Sequence, residues 1–241
     1  MSPPRGWPPL LLGLALVYAI FHGMATLLGS DRGQAGIIVG AIVVAATVAV
    51  ERVFFGVPMA TAVQTLGLRR PLARGLVAAA ALCFLLLLVF PAYAAAAGTS
   101  LSIDPRWAWL LPGLFAQAGI AEEVLFRGYL FRRVRVGRSF WRAVGLASIP
   151  FVAVHLVLFV TMAWPVALAA VLLSAILSPP LAHLFELGGG TVWAPALLHF
   201  VVQGAIKLIT PESPTAVLPL VWMAASGVLP YLVFLVQRRM V

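Results

Sequence analysis

Eight apolar runs follow one another along the chain, at about 8–28, 35–55, 75–97, 107–131, 143–160, 162–185, 191–209 and 217–236. About 20 such residues cross a bilayer as a helix, which pairs its own backbone groups where lipid offers none a partner. Only 10% of the residues are charged, against about 25% in an ordinary soluble domain, so there is too little polar surface to clothe a soluble fold. The pattern predicts an all-α fold, a polytopic membrane helix bundle of about eight transmembrane helices, as a single integral membrane domain over residues 1–241. The stretch 143–185 is broken only by Thr161, Trp164 and Pro165. It is divided into two spans because about 40 residues is twice the length of one.

An even number of spans puts both termini on one side, together with Arg5, Arg52, Arg69, Arg70, Arg74, Arg132, Arg133, Arg135, Arg138, Arg142, Arg238 and Arg239. The other side receives Arg32, Arg106 and Lys207. Cationic loops stay in the cytoplasm during insertion. Both termini are therefore expected to be cytoplasmic, in the cell (inner) membrane. The net charge of +9 then belongs to topology, and no nucleic-acid partner is expected. The lone Cys83 excludes a disulfide or a cysteine metal cluster. The first apolar run is too long for a signal peptide and lacks a small-x-small cleavage site, so it reads as a span. The tryptophans fall mainly near span ends, as an interfacial belt would place them. No internal repeat, soluble domain or low-complexity tail is visible.

Of the seven acidic residues, Asp31, Glu51, Asp104, Glu186 and Glu212 fall at span ends or in loops, where water is expected to reach them. Glu122 and Glu123 sit well inside the fourth run, in AEEVLFRGYLF. Charge at membrane depth is costly and usually marks function. Arg127 lies four residues after Glu123, on the same helical face, so the two can form a buried ion pair. Glu122 points about 100° away from Glu123, free for another task. The bland alternative is a purely structural polar cluster.

His155 lies in mid-span, with Phe151 one turn before it; His199 lies in the seventh run, with Gln203 one turn later. Alone, each histidine reads as an interhelical hydrogen bond. Depth links them to the glutamate. At 1.5 Å per residue, Glu122 lies about 15 Å from Arg132, His155 about 20 Å from Arg142, and His199 about 14 Å from the Gly188–Gly190 turn. Three helices would then present one carboxylate and two imidazoles at similar depth.

At these residues the sequence resembles the CPBP intramembrane peptidases, also called the CAAX-processing or Abi family. The family's marks are Glu-Glu-x-x-x-Arg, Phe-x-x-x-His, and His-x-x-x-Asn or Asp, on three separate helices. Here they are Glu122, Glu123 and Arg127; Phe151 and His155; and His199, with GTVWAP at 190–195 resembling the approach to the third. The resemblance covers residues 107–209, a CPBP-like peptidase core. It implies a glutamic endopeptidase with no metal and no other cofactor, acting on a peptide or protein substrate, CAAX-like and lipid-modified in some relatives, with membrane lipid as its other partner. Glu122 with His155 would hold and deprotonate a water; His199 and Gln203 would donate to the oxyanion; Glu123 and Arg127 would lock the helix. Gln203 departs from the family's Asn or Asp by one methylene, which puts the activity in question.

Three rivals remain at this level. Two histidines and a glutamate could ligate a catalytic zinc, although no His-Glu-x-x-His occurs. A catalytically impaired relative could serve as a membrane scaffold or bacteriocin-immunity-type factor. Intramembrane Glu, His and Arg also build proton relays and transporter sites, but no inverted repeat is seen. A serine protease would want Gly-x-Ser-Gly; Ser226 lacks the first glycine and reads as helix packing, and His22 and His183 read as helix-end or interhelical residues.

Overall fold

Each apolar run becomes a helix. The computed structural model describes residues 6–29, 32–212 and 215–237. Arg5, Arg238 and Arg239, three of the expected topology markers, and the acidic Asp31 lie outside the described residues. The helices are α1 (Trp7–Leu27), α2 (Gln34–Phe55), α3 (Met59–Leu68), α4 (Ala73–Ala97), α5 (107–135), α6 (Phe140–Thr161), α7 (Trp164–Leu187), α8 (Trp193–Leu208) and α9 (Val217–Leu235). Two short strands, β1 (Leu101–Ile103) and β2 (Ile209–Pro211), pair antiparallel with Ser102 opposite Thr210. The protein is a polytopic helical bundle. By length and composition α1, α2, α4, α6, α7 and α9 can each cross a membrane. The two other expected spans are α5 and α8, the helices that carry the glutamates and His199. The sixteen residues of α8 rise about 24 Å.

The short helix α3 was not expected. Gly56, Pro58 and Gly67 break the apolar pattern there, and Gly67 closes the helix at φ 88°. Gly67 lies against the α7–α8 turn, where an added Cβ would come 3.0 Å from the Gly190 carbonyl. Its own carbonyl accepts from the Val192 N–H at 3.1 Å.

Contacts sort the connections into two ends. At one, Leu72 N–H donates to Gly188 at 3.1 Å, Arg69 to Gly189 at 2.6 Å and Arg74 to Leu187 at 3.1 Å. Glu51 at the foot of α2 meets Arg132 and Arg133 there, and Glu186 meets Arg135 at 2.6 Å. At the other end β1 meets β2, and Gly33 lies against Trp109. Because α3 begins and ends at the first end, it does not run from one end of the bundle to the other; the other eight helices among the described residues do, and six of these are long and apolar enough to cross a membrane. The first end holds Arg52, Arg69, Arg70, Arg74, Arg132, Arg133, Arg135, Arg138 and Arg142, and the second holds Arg32, Arg106 and Lys207.

Two expectations change. Glu51 does not reach water: it is fully buried, held by Arg132 at 3.1 Å and by both terminal nitrogens of Arg133, whose guanidinium lies over Phe55. The guanidinia come from α5, a partner that the position of Glu51 at the end of α2 could not reveal. Trp222 is not interfacial but buried in α9, donating to the Val202 carbonyl at 2.9 Å. Its N–H finds a partner inside the bundle, so it needs no water.

Among the described residues two large apolar clusters, with a small third one of Leu110, Leu114 and Leu208, fill the bundle. One joins α1, α2, α5 and α6, including Val43, Leu130 and Phe151. The other joins α4, α7, α8 and α9, including Leu86, Leu184 and Leu198. The polar residues of interest lie at the seam. Glycines set how closely backbones approach: a Cβ on Gly36 would collide with the main chain of Gly113, whereas one on Gly145 would meet open space. Main chain cannot rotate aside, so Gly36→Ala is expected to cost roughly 1–3 kcal/mol. Thermal unfolding in detergent should show a lowered midpoint for Gly36→Ala and little change for Gly145→Ala.

Candidate active site

Helix α5 is not a regular α-helix. It is π-helical over Phe115–Ala121 and again over Val124–Phe131, and Glu122 and Glu123 sit between the two stretches. Such bulges recur where a helix must re-aim side chains for function. Gly119, four residues before Glu123, brings α8 close: an added Cβ would lie 2.9 Å from the Ala196 carbonyl, which is three residues before His199. This close approach puts His199 within reach of the glutamates.

The result is one polar chain across α5 and α8. Arg127 donates to Glu123 Oε1 at 3.1 Å, and both side chains are buried. His199 Nδ1 lies 2.7 Å from the same oxygen. A carboxylate only accepts, so Nδ1 carries the proton. The Gln203 amide nitrogen lies 2.8 Å from His199 Nε2 and 3.2 Å from Glu122 Oε1. Gln203 thus donates to both, tying Glu122 to His199 with its two amide hydrogens. His199 Nε2 is also 3.6 Å from Glu122 Oε2. Glu122 keeps 13% of its side chain exposed, and Glu123 none.

The ring of Phe151 joins the third helix to this chain. The Arg127 guanidinium lies over it at 4.3 Å from the centroid. The ring also meets His155 and His199 edge-on at 5.0 and 6.3 Å. Arg127 Nη2 and Glu123 Oε2 have no hydrogen-bond partner among the described residues, so the Phe151 face is what Arg127 gains beyond Glu123. The Phe151 carbonyl accepts from His155 Nδ1 at 2.7 Å. In the neutral tautomer this selects, His155 Nε2 is an acceptor with no hydrogen-bond partner among the described residues.

Glu122, His155, His199 and Gln203 all line one cavity of about 880 Å³. All seven residues singled out in the sequence therefore gather in one place: five in the polar chain, with Phe151 against it and His155 across the cavity. The sequence reading missed the bond from His199 to Glu123, the close approach at Gly119, and Tyr18, Gln117 and His22 on the cavity wall. Gly119 is one of 21 glycines, and nothing in the sequence distinguishes it. Among the described residues no group of three or more His, Cys, Asp or Glu side chains is arranged to hold a metal ion.

Removing one member of a buried ion pair strands the other and typically costs about 3–5 kcal/mol. Arg127→Met should therefore lower the unfolding midpoint strongly in detergent. Adding Glu123→Gln should restore much of it, because the stranded charge is gone.

Residues 104–205 match the family model of the type II CAAX prenyl endopeptidase Rce1-like proteins. No curated protein and no solved structure matches the chain. The matched segment runs from the loop before α5 into α8 and contains the whole polar chain with Phe151 and His155. That match supports the CPBP, or CAAX-protease, family for the segment that carries the polar chain, a little under half of the sequence.

Proposed function

We propose that the protein is a glutamate-dependent intramembrane endopeptidase of the cell (inner) membrane, with both termini in the cytoplasm. The observation that carries this reading is the division between two adjacent carboxylates. Glu123 is buried and taken up by Arg127 and His199, while Glu122 lines the cavity that His155 also lines. The family match supports a protease with a peptide substrate in the membrane. The excess of arginine at one end supports the orientation.

In this reading Glu122 accepts a proton from a water that also donates to His155 Nε2, and the resulting hydroxide attacks the scissile carbonyl. Gln203, whose two amide hydrogens bond Glu122 and His199 in the resting site, turns the one on Glu122 to the oxyanion as Glu122 takes up its proton. His199 holds Gln203 from behind, because its own Nδ1 proton is spent on Glu123. As the tetrahedral intermediate collapses, Glu122 returns its proton to the leaving nitrogen. The extra methylene of Gln203 is what lets one amide span Glu122 and His199. The substrate class implied by the family is a membrane-associated peptide, including CAAX-like C-terminal sequences and lipid-modified chains. Glu122, His155 and Gln203 touch the reacting atoms; His199, Glu123, Arg127 and Phe151 position them.

Comparing the peptides released from membranes carrying wild type or Glu122→Gln, at matched protein levels, tests this. Fragments seen only with wild type would identify the substrate, and the variant should lose about 10²–10⁴-fold in rate while keeping its unfolding midpoint. Identical peptide sets would favour an inactive scaffold. Cleavage should persist with a chelator present, and chelator-sensitive cleavage would favour zinc.

A further inference from the structure

The cavity is not placed symmetrically in the bundle. Beyond Glu122 it is walled by the second half of α1, the second half of α6, the first half of α7, the second half of α8 and the start of α9. Each of these segments runs toward the end where β1 meets β2, and none toward the arginine-rich end.

Exposure follows the same gradient. At the floor, Phe126, Phe151 and His199 are buried. At the rim, Arg32, Thr161, Met162, Pro165, Lys207 and Leu220 are exposed. Between the floor and the arginine-rich end the bundle is closed by packed rings. Phe126 packs on Phe151 at 4.7 Å, and Phe131 packs on Phe140 and Phe185 at 6.2 and 6.0 Å. All five are buried. Opening a path through them would mean breaking a core packed to crystal density.

The rim also has a sign. Among the described residues it carries two cations, Arg32 and Lys207, and no anion. The ammonium of Lys207 lies in the field of both Arg32 and Glu122. Lys207 continues the face of α8 that bears His199 and Gln203, four residues and about 6 Å beyond Gln203. Between the rim and Glu122 the walls are largely apolar.

We infer that the substrate reaches Glu122 from the arginine-poor, non-cytoplasmic end of the bundle, as an apolar peptide segment bearing negative charge where it passes Arg32 and Lys207. The chemistry at Glu122 and the orientation of the bundle rest on the reading above; the opening of the cavity toward the arginine-poor end does not. It makes the preferred substrates segments presented at the outer surface of the membrane, in place of tails that dangle in the cytoplasm.

Thiol labelling decides the direction without any cleavage. In a Cys83→Ala background, Ala170→Cys places a thiol on the cavity wall and Ser139→Cys one at the arginine-rich end, between α5 and α6. A membrane-impermeant thiol reagent is applied to right-side-out and to inverted vesicles. Ala170→Cys should react in right-side-out vesicles, and Ser139→Cys only in inverted ones. Reaction of Ala170→Cys only in inverted vesicles overturns the inference, as does reaction with a permeant reagent alone. Once a cleaved segment is in hand, Lys207→Gln should raise KM several-fold for a segment with an acidic group at its outer end, with kcat little changed and no effect on a neutral counterpart. An equal KM for the two would remove the charge from the proposal. Absence of any cleavage would count against the protease reading and leave the labelling result standing.

Discussion

Burying Glu123 beside Arg127 constrains everything around them. Neither charge can be left alone at membrane depth, and the pair by itself does not satisfy both groups. Arg127 takes the face of Phe151 from α6, and Glu123 takes the Nδ1 proton of His199 from α8. Three helices are drawn to one point by these demands. The bare backbone of Gly119 then lets α8 come close enough for the bond to close. The ion pair thus acts as the fixed post to which the rest of the site is tied, and the two apolar clusters meet along that seam.

From the post, order passes outward one hydrogen bond at a time. Glu123 fixes which nitrogen of His199 holds the proton; His199 in turn fixes Gln203, and Gln203 fixes Glu122. Glu122 is the last member, and it lines the cavity together with His199 and Gln203. A carboxylate held in this way keeps its geometry without being neutralised by a cation of its own, which is what the proposed role of general base requires. His155 is held separately, by the main chain of its own helix, so its acceptor nitrogen faces the cavity independently of the chain. Two glutamates adjacent in sequence therefore have unlike environments, and the difference arises from which of them meets α8 from behind.

Much of this could be read in the sequence. Apolar runs of membrane length gave the helices to within a few residues, because lipid leaves the chain no other regular structure. The four-residue spacing of Glu123 and Arg127 gave their ion pair, since a local helical relation survives even the π-helical distortion on either side. Relations between distant segments were out of reach. Glu51 looked solvated until Arg132 and Arg133 were seen to fold over it, 81 and 82 residues later. The bond from His199 to Glu123 crosses 76 residues, and no periodicity on either helix encodes it. Helix α3 was hidden by its own glycines and proline, which mark turns in most sequences but here allow a short helix to pack against the α7–α8 turn. Arg32 and Lys207 were legible as topology markers, but nothing in the sequence placed them at the mouth of one cavity.

The tautomer of His199 tests the polar chain most directly. The chain has only four histidines, His22, His155, His183 and His199, so imidazole ¹⁵N resonances of the detergent-solubilised protein can be assigned by single substitutions. His199 should be neutral, with its proton on Nδ1 and an unprotonated Nε2 that accepts from Gln203. Arg127→Met with Glu123→Gln should disturb that pattern. A proton on Nε2 in the wild-type protein, or a fully charged imidazolium, would contradict the chain that ties Glu122 to the buried ion pair.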